Sequence, residues 1–262
     1  MIIIDNDRCI GCGLCVRDCL PNALILSEGR PQEGEGCFYC GHCVAVCPQD
    51  AVRLEGNNIS YEGMESAGEG FGVAPEAMLH TVKMRRSIRQ FTKDPVGEEK
   101  IRAIIEAGRI SPTASNTQNV SYIVVGSGKI YEFSSLCAEE LREMYKNGSA
   151  EYVFPKAIYK DRIKPESDDF LFKGGRSLII TVSPHAVNAS IASANMELMA
   201  VSEGLGVLYV GIFIRLLEHS EKLRSYLGMS ADDTAVTCLS IGYPAVEYRR
   251  SAPKKTANVR WI

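Results

Sequence analysis

Apolar residues along this chain recur at two periods, and the switches between them outline its elements. From Pro75 onward, Met78, Leu79 and Val82 share one helical face of 76–84, and Ile101, Ile104, Ile105 and Gly108 repeat at helical spacing through 98–109. The longest helical pattern covers 188–203, with Ile191, Asn195, Leu198 and Met199 in its stripe and Gly204 and Gly206 to end it. Runs rich in Val, Ile and Thr at 121–126, 176–183 and 234–242 read as strands. Strands alternating with helices imply a sheet covered by helices. Before this part, 51–54 reads as a short closing strand, and 55–72, rich in Gly, Glu, Asn and Ser, shows no apolar period and reads as linker. The longest mostly apolar run, 204–214, stops at Arg215 and is too short to cross a bilayer.

Composition narrows the class. At about 150 residues per domain, a 262-residue chain makes one large or two modest domains. With 45% hydrophobic and 23% charged residues it is globular. A net charge of −3 gives no reason to expect a nucleic-acid partner. Met1 to Ile4 are apolar but Asp5 follows at once, which leaves no segment of signal-peptide form; a cytoplasmic location without a membrane partner is the expectation. Charge is uneven, however: residues 1–62 hold four basic and nine acidic side chains, net −5, which leaves +2 for the remainder.

Of ten cysteines, eight lie in the first 47 residues, and they form a repeat. Cys9-x2-Cys12-x2-Cys15-x3-Cys19 is followed by Pro21 and Ala23, and Cys37-x2-Cys40-x2-Cys43-x3-Cys47 by Pro48 and Ala51. Two copies of one unit imply a pseudo-twofold module. Structural zinc sites usually show two separated Cys-x2-Cys pairs, so a repeated triplet plus a fourth thiol would leave ligands idle around zinc. Three thiolates two residues apart suit one face of a cuboidal cluster. The spacing resembles that of bacterial two-cluster ferredoxins, in which the fourth cysteine of each run ligates the other cluster. The resemblance implies two [4Fe-4S] clusters, one on Cys9, Cys12, Cys15 and Cys47, the other on Cys37, Cys40, Cys43 and Cys19. Leu20 between Cys19 and Pro21 departs from the pattern. Each oxidised cluster with its thiolates carries about −2, so an acidic module facing a basic redox partner is expected. His42 reads as a solvent-facing loop residue, and Cys137 and Cys238 as buried, inert thiols.

Two polar segments carry chemistry in the larger part. Arg85-Arg86-Ser87-Ile88-Arg89-Gln90-Phe91 sets three guanidinium groups and a hydroxyl within five positions, an anion cradle by composition. Pro112-Thr113-Ala114-Ser115-Asn116-Thr117-Gln118-Asn119 is a polar loop after a helix. Gly126-Ser127-Gly128-Lys129 lacks the first glycine and the Ser/Thr of a phosphate loop and reads as a turn; no G-x-G-x-x-G closes a βαβ unit. In their order and spacing the two segments resemble the nitroreductase family of FMN-dependent enzymes. The likeness covers 76–262 and includes Gly204-Leu205-Gly206 and Gly242-Tyr243-Pro244.

That resemblance implies an α+β chain: a ferredoxin-like two-cluster domain over 1–60, a linker over 61–75, and a three-layer α/β/α FMN domain over 76–262. It gives Arg85, Arg86, Ser87 and Arg89 to the FMN phosphate and ribityl chain. Pro112, Thr113, Ala114, Ser115, Asn116 and Gln118 fall to a loop reaching the flavin from a partner subunit, and Val210 and Gly211 to the backbone beside the reactive ring edge. Lys254 and Lys255 match a basic phosphate contact, with Lys where Arg is frequent, and Asn119 stands where Pro is common. Tyr131, Tyr145, Tyr152 and Tyr159, in or near a variable region matched by 139–173, are pocket candidates, as is His185. A homodimer is implied, its C-terminal arm at 259–262 packed on the second subunit. The expected activity is reduction of nitroaromatic, quinone or similar acceptors, without a catalytic side chain and with the clusters feeding electrons to FMN. The donor is a low-potential ferredoxin-like protein or NAD(P)H. An electron relay without small-molecule turnover is the alternative, or another reduction such as that of an enone or a carbon–halogen bond.

Overall fold

The computed structural model describes residues 1–68, 72–153 and 171–262. Its chain divides into two compact units: Met1–Gly72 together with Thr113–Thr117, and Val73–Pro112 together with Gln118–Ile262.

The first unit displays the repeat as structure. One copy gives β1 (Ile2–Ile4), α1 (Leu14–Arg17) and β2 (Leu24–Ser27); the other gives β3 (Arg30–Glu33), α2 (His42–Ala45) and β4 (Val52–Leu54). Outer strands β1 and β4 pair antiparallel, with Ile2 opposite Leu54, and inner strands β2 and β3 form a hairpin. Each short helix starts from a left-handed glycine, Gly13 at φ 70° and Gly41 at φ 76°, a conformation open to glycine at little cost. A small core of Ile2, Ala23, Leu24, Val52 and Leu54 surrounds the buried Cys15 and Cys43.

The second unit is a four-stranded antiparallel sheet between two helical layers. Its elements are α3 (Pro75–Met84), α4 (Glu98–Arg109), β5 (Ser121–Val125), α5 (Ile130–Lys146), β6 (Ser177–Val182), α6 (Ala186–Ser202), β7 (Gly206–Tyr209), α7 (Gly211–Glu218), α8 (Glu221–Tyr226) and β8 (Ala235–Gly242), with strand order β5-β6-β8-β7. All of β6 is buried, and alternation sends its side chains to opposite faces. Leu178, Ile180 and Val182 enter a core with Phe133, Leu141, Phe213 and Leu216 from α5 and α7. Ile179 enters another, with Ile104 of α4 and Met196 and Ala200 of α6. These are the three layers the family resemblance implied.

The structure adds detail in three places. The helix anticipated at 188–203 begins at Ala186, and α5 equals it at 17 residues. The apolar run 204–214 is not one element: β7 gives way to α7 at Val210–Gly211. Among the described residues the apolar face of α3 finds no core, since none of its residues is buried and Met78, Leu79 and Val82 stay exposed.

Candidate cofactor sites

In the first unit, Cys9, Cys12, Cys15 and Cys47 line one small cavity of about 20 Å³, walled by apolar residues that include Ile10, Leu14 and Val52. Three thiols of the first run thus share that lining with the last thiol of the second. No cysteine is in a disulfide. Among the described residues no three His, Cys, Asp or Glu side chains converge on a single ion; a cubane takes one thiolate per iron, so its ligands stand apart around a box. Burial pushes the Cys43 thiol up to about 11, opposed by the Val44 amide and reinforced by Cys37, Cys40 and Cys15. Cys15 is raised for the same reason, with Cys12 and Cys47 nearby. Cys43 thus has Cys37 and Cys40 of its own run and Cys15 of the other nearby, and buried thiols of this kind need metal charge to be held as thiolates. Cys19 packs against the same small core. Backbone amides are already aimed at sulfur: Tyr39 N–H donates to Cys37 Sγ at 3.3 Å and Ala51 N–H to Cys47 Sγ at 3.2 Å. His42 is exposed, as expected, but it opens α2 rather than lying in a loop.

In the second unit, the arginine segment leaves α3 in extended form and lies along the sheet. Ser87 bridges Val207 in parallel, Ile88 N–H donates to Val207 O at 3.0 Å, and Thr92 N–H donates to Tyr243 O at 2.8 Å. Ile88 is buried against Gly206, where a Cβ would stand 2.4 Å from Ile88 Cγ1, so only glycine admits the segment so close to β7. With alternate residues pinned, Arg85, Arg86, Ser87 and Arg89 line a cavity of about 490 Å³ together with Lys83, Ser251 and Lys254. Among the described residues every charged side chain in that lining is basic, which suits a phosphate-bearing ligand.

Two residues of this region escaped sequence reading. Ser251 gives no signal beyond its place just before Lys254. Glu197, on α6, is 7% exposed, and its Oε1 accepts from Arg85 Nη1 at 3.2 Å; an acid within a mostly apolar helix was its only trace. Burial pushes its carboxyl up, and the guanidinium of Arg85 opposes that. Tyr209, donating to Ser193 O at 3.0 Å, is pushed up to about 12 by burial and by nearby Glu197.

Other candidates lie elsewhere. Lys255, Val210 and Gly211 do not line this cavity; Val210 is buried and its N–H donates to Cys238 O. Thr113, Ala114, Ser115 and Asn116 fall in the first unit, where the Asn116 amide donates to the carbonyls of Phe38 and Tyr39 at 3.1 and 2.9 Å. Pro112 and Gln118 belong to the second unit. Just outside the loop, Ser111 Oγ accepts from Asn195 Nδ2 at 2.8 Å and Asn119 Oδ1 from Asn188 Nδ2 at 3.0 Å, so α6 fixes both flanks. The Gly126–Lys129 segment is a turn opening α5, with Lys129 N–H donating to Gly126 O. Cys137 and Cys238 are buried, and desolvation pushes both thiols upward, as inert thiols require. His185 is exposed at the start of α6. Tyr159 and the Tyr152 side chain lie outside the described residues. No helix among the described residues is long and apolar enough to cross a membrane.

Comparison with known proteins bears on both sites. Residues 82–243 match the nitroreductase family and residues 1–48 the 4Fe-4S dicluster domain. A protein of Archaeoglobus fulgidus named an NADH dehydrogenase/NAD(P)H nitroreductase is 27% identical over 174 residues, which cover 66% of this chain and 88% of that one. FMN reductase (NADPH) of Bacillus subtilis is 25% identical over 171 residues, covering 64% of this chain and 66% of its own length, just under two thirds. A nitroreductase with bound FMN from Bacteroides fragilis superposes with a TM-score of 0.56 at 18% identity, over 70% of this chain and 98% of the other; it has the same fold.

Proposed function

Because the chain belongs to the nitroreductase family and begins with a 4Fe-4S dicluster domain, we propose that it is an FMN- and iron-sulfur-dependent oxidoreductase. In this reading it reduces electrophilic organic acceptors such as nitroaromatics or quinones, and the clusters carry the electrons in. The observation behind it is that one chain holds both a thiol-lined cavity and a cation-lined one. The fold shared with an FMN-bound protein supports FMN as the occupant of the second.

FMN, when bound, supplies hydride chemistry and also accepts single electrons, which matches one-electron clusters as its source. The residues bind and orient. Arg85, Arg86, Arg89 and Lys254 neutralise the phosphate, with Ser87 donating from its hydroxyl. Their positive charge also favours an electron-rich ligand electrostatically. Cys9, Cys12, Cys15 and Cys47 hold one cluster, and Cys37, Cys40, Cys43 and Cys19 the other. Pro112–Asn116 and Gln118 serve the flavin of a second copy in a homodimer, and Val210–Gly211 and Lys255 complete the set. No side chain is assigned as acid, base or nucleophile.

Oxygen-free purification with iron, sulfide and flavin quantified tests this reading. About eight irons and one FMN per chain are expected, from two four-iron clusters. The holoprotein should consume a nitroaromatic when supplied with dithionite-reduced ferredoxin, and a parallel assay with NADPH tells which donor serves. A colourless protein sinks the reading; flavin reduction without acceptor consumption makes the molecule a relay.

A further inference from the structure

Behind the basic cavity lies a buried acid, Glu197. Glu197 engages Arg85 through one Nη1–H, and Arg85 is itself part of the cavity wall with 36% of its side chain exposed. A guanidinium holds its donors in a rigid fork, so tying one nitrogen orients all the others. A carboxylate this buried is costly without a partner, which keeps the pair together. Arg86 is held differently, over the Tyr248 ring at 5.2 Å. We infer that Glu197 is a positioning residue for FMN: its bond to Nη1 aims the Arg85 fork into the cavity, where the remaining donors meet the phosphate. This rests on the flavin reading above.

Riboflavin, which lacks the phosphate, separates positioning from general support. Full-length protein with its clusters retained and flavin removed is titrated with FMN and with riboflavin, following flavin fluorescence. E197Q should weaken FMN about tenfold, the worth of one charge-assisted bond, and leave riboflavin affinity unchanged. E197D, which keeps the charge, should recover most of the loss. In an R85A background E197Q should add nothing further. The inference is overturned if E197Q weakens both flavins equally, leaves FMN untouched, or still weakens FMN once Arg85 is gone. Should E197Q not fold, the E197D pair of titrations decides alone: a partial loss specific to FMN supports the inference, and equal losses overturn it. Wild-type protein that takes FMN no more tightly than riboflavin strikes instead at the phosphate site itself.

Discussion

Glu197 also makes stability depend on pH. Its carboxyl is raised by burial, so the folded chain holds that proton more tightly than the unfolded one. Its contribution is complete below the ordinary value of 4.5 and is lost as pH rises through the folded value. Wild-type stability, measured by urea unfolding followed by circular dichroism, should therefore decline relative to E197Q as pH rises through that window. Parallel curves would show that the carboxyl titrates as in the unfolded chain. At this scale the cysteines were legible and Glu197 was not, for one reason. Cluster ligands are spaced by the local turns that carry them, whereas Glu197 meets Arg85 across 112 positions of sequence. Ser251 and the flanking pairs Ser111–Asn195 and Asn119–Asn188 were hidden in the same way.

Among the elements, β6 carries the sheet. Ile179 is fully buried between α4 and α6, so Ile179→Ala should cost about 2–5 kcal/mol. Val124→Ala on β5, at a residue 41% exposed, should change stability by less than about 0.5 kcal/mol. Denaturant midpoints compare the two, and equal losses would contradict the layering. The run at 176–183 announced this strand because a segment buried on both faces has no polar period to blur it. The same property hid the join of β7 and α7, where an unbroken apolar run marks burial without saying how the backbone turns. In α3 the pattern gave the helix correctly, but an amphipathic stripe says only that something covers it, not what does.

For the whole molecule, the exposed face of α3 and the apolar terminal residues Val259, Trp261 and Ile262 are the surfaces that a second copy would cover under the proposed homodimer. Wild-type protein should sediment as a dimer, and removing 259–262 should shift it toward the single chain at matched concentration. A wild-type chain that sediments alone would refute the pairing. One further consequence belongs to Trp261, the chain's sole tryptophan, which stands 92% exposed. An indole already in water has little to gain from unfolding and much to lose from being covered. Intrinsic emission from this protein therefore reports on its company: a blue shift on concentration follows association, while a thermal melt watched at the same wavelengths would pass almost unseen.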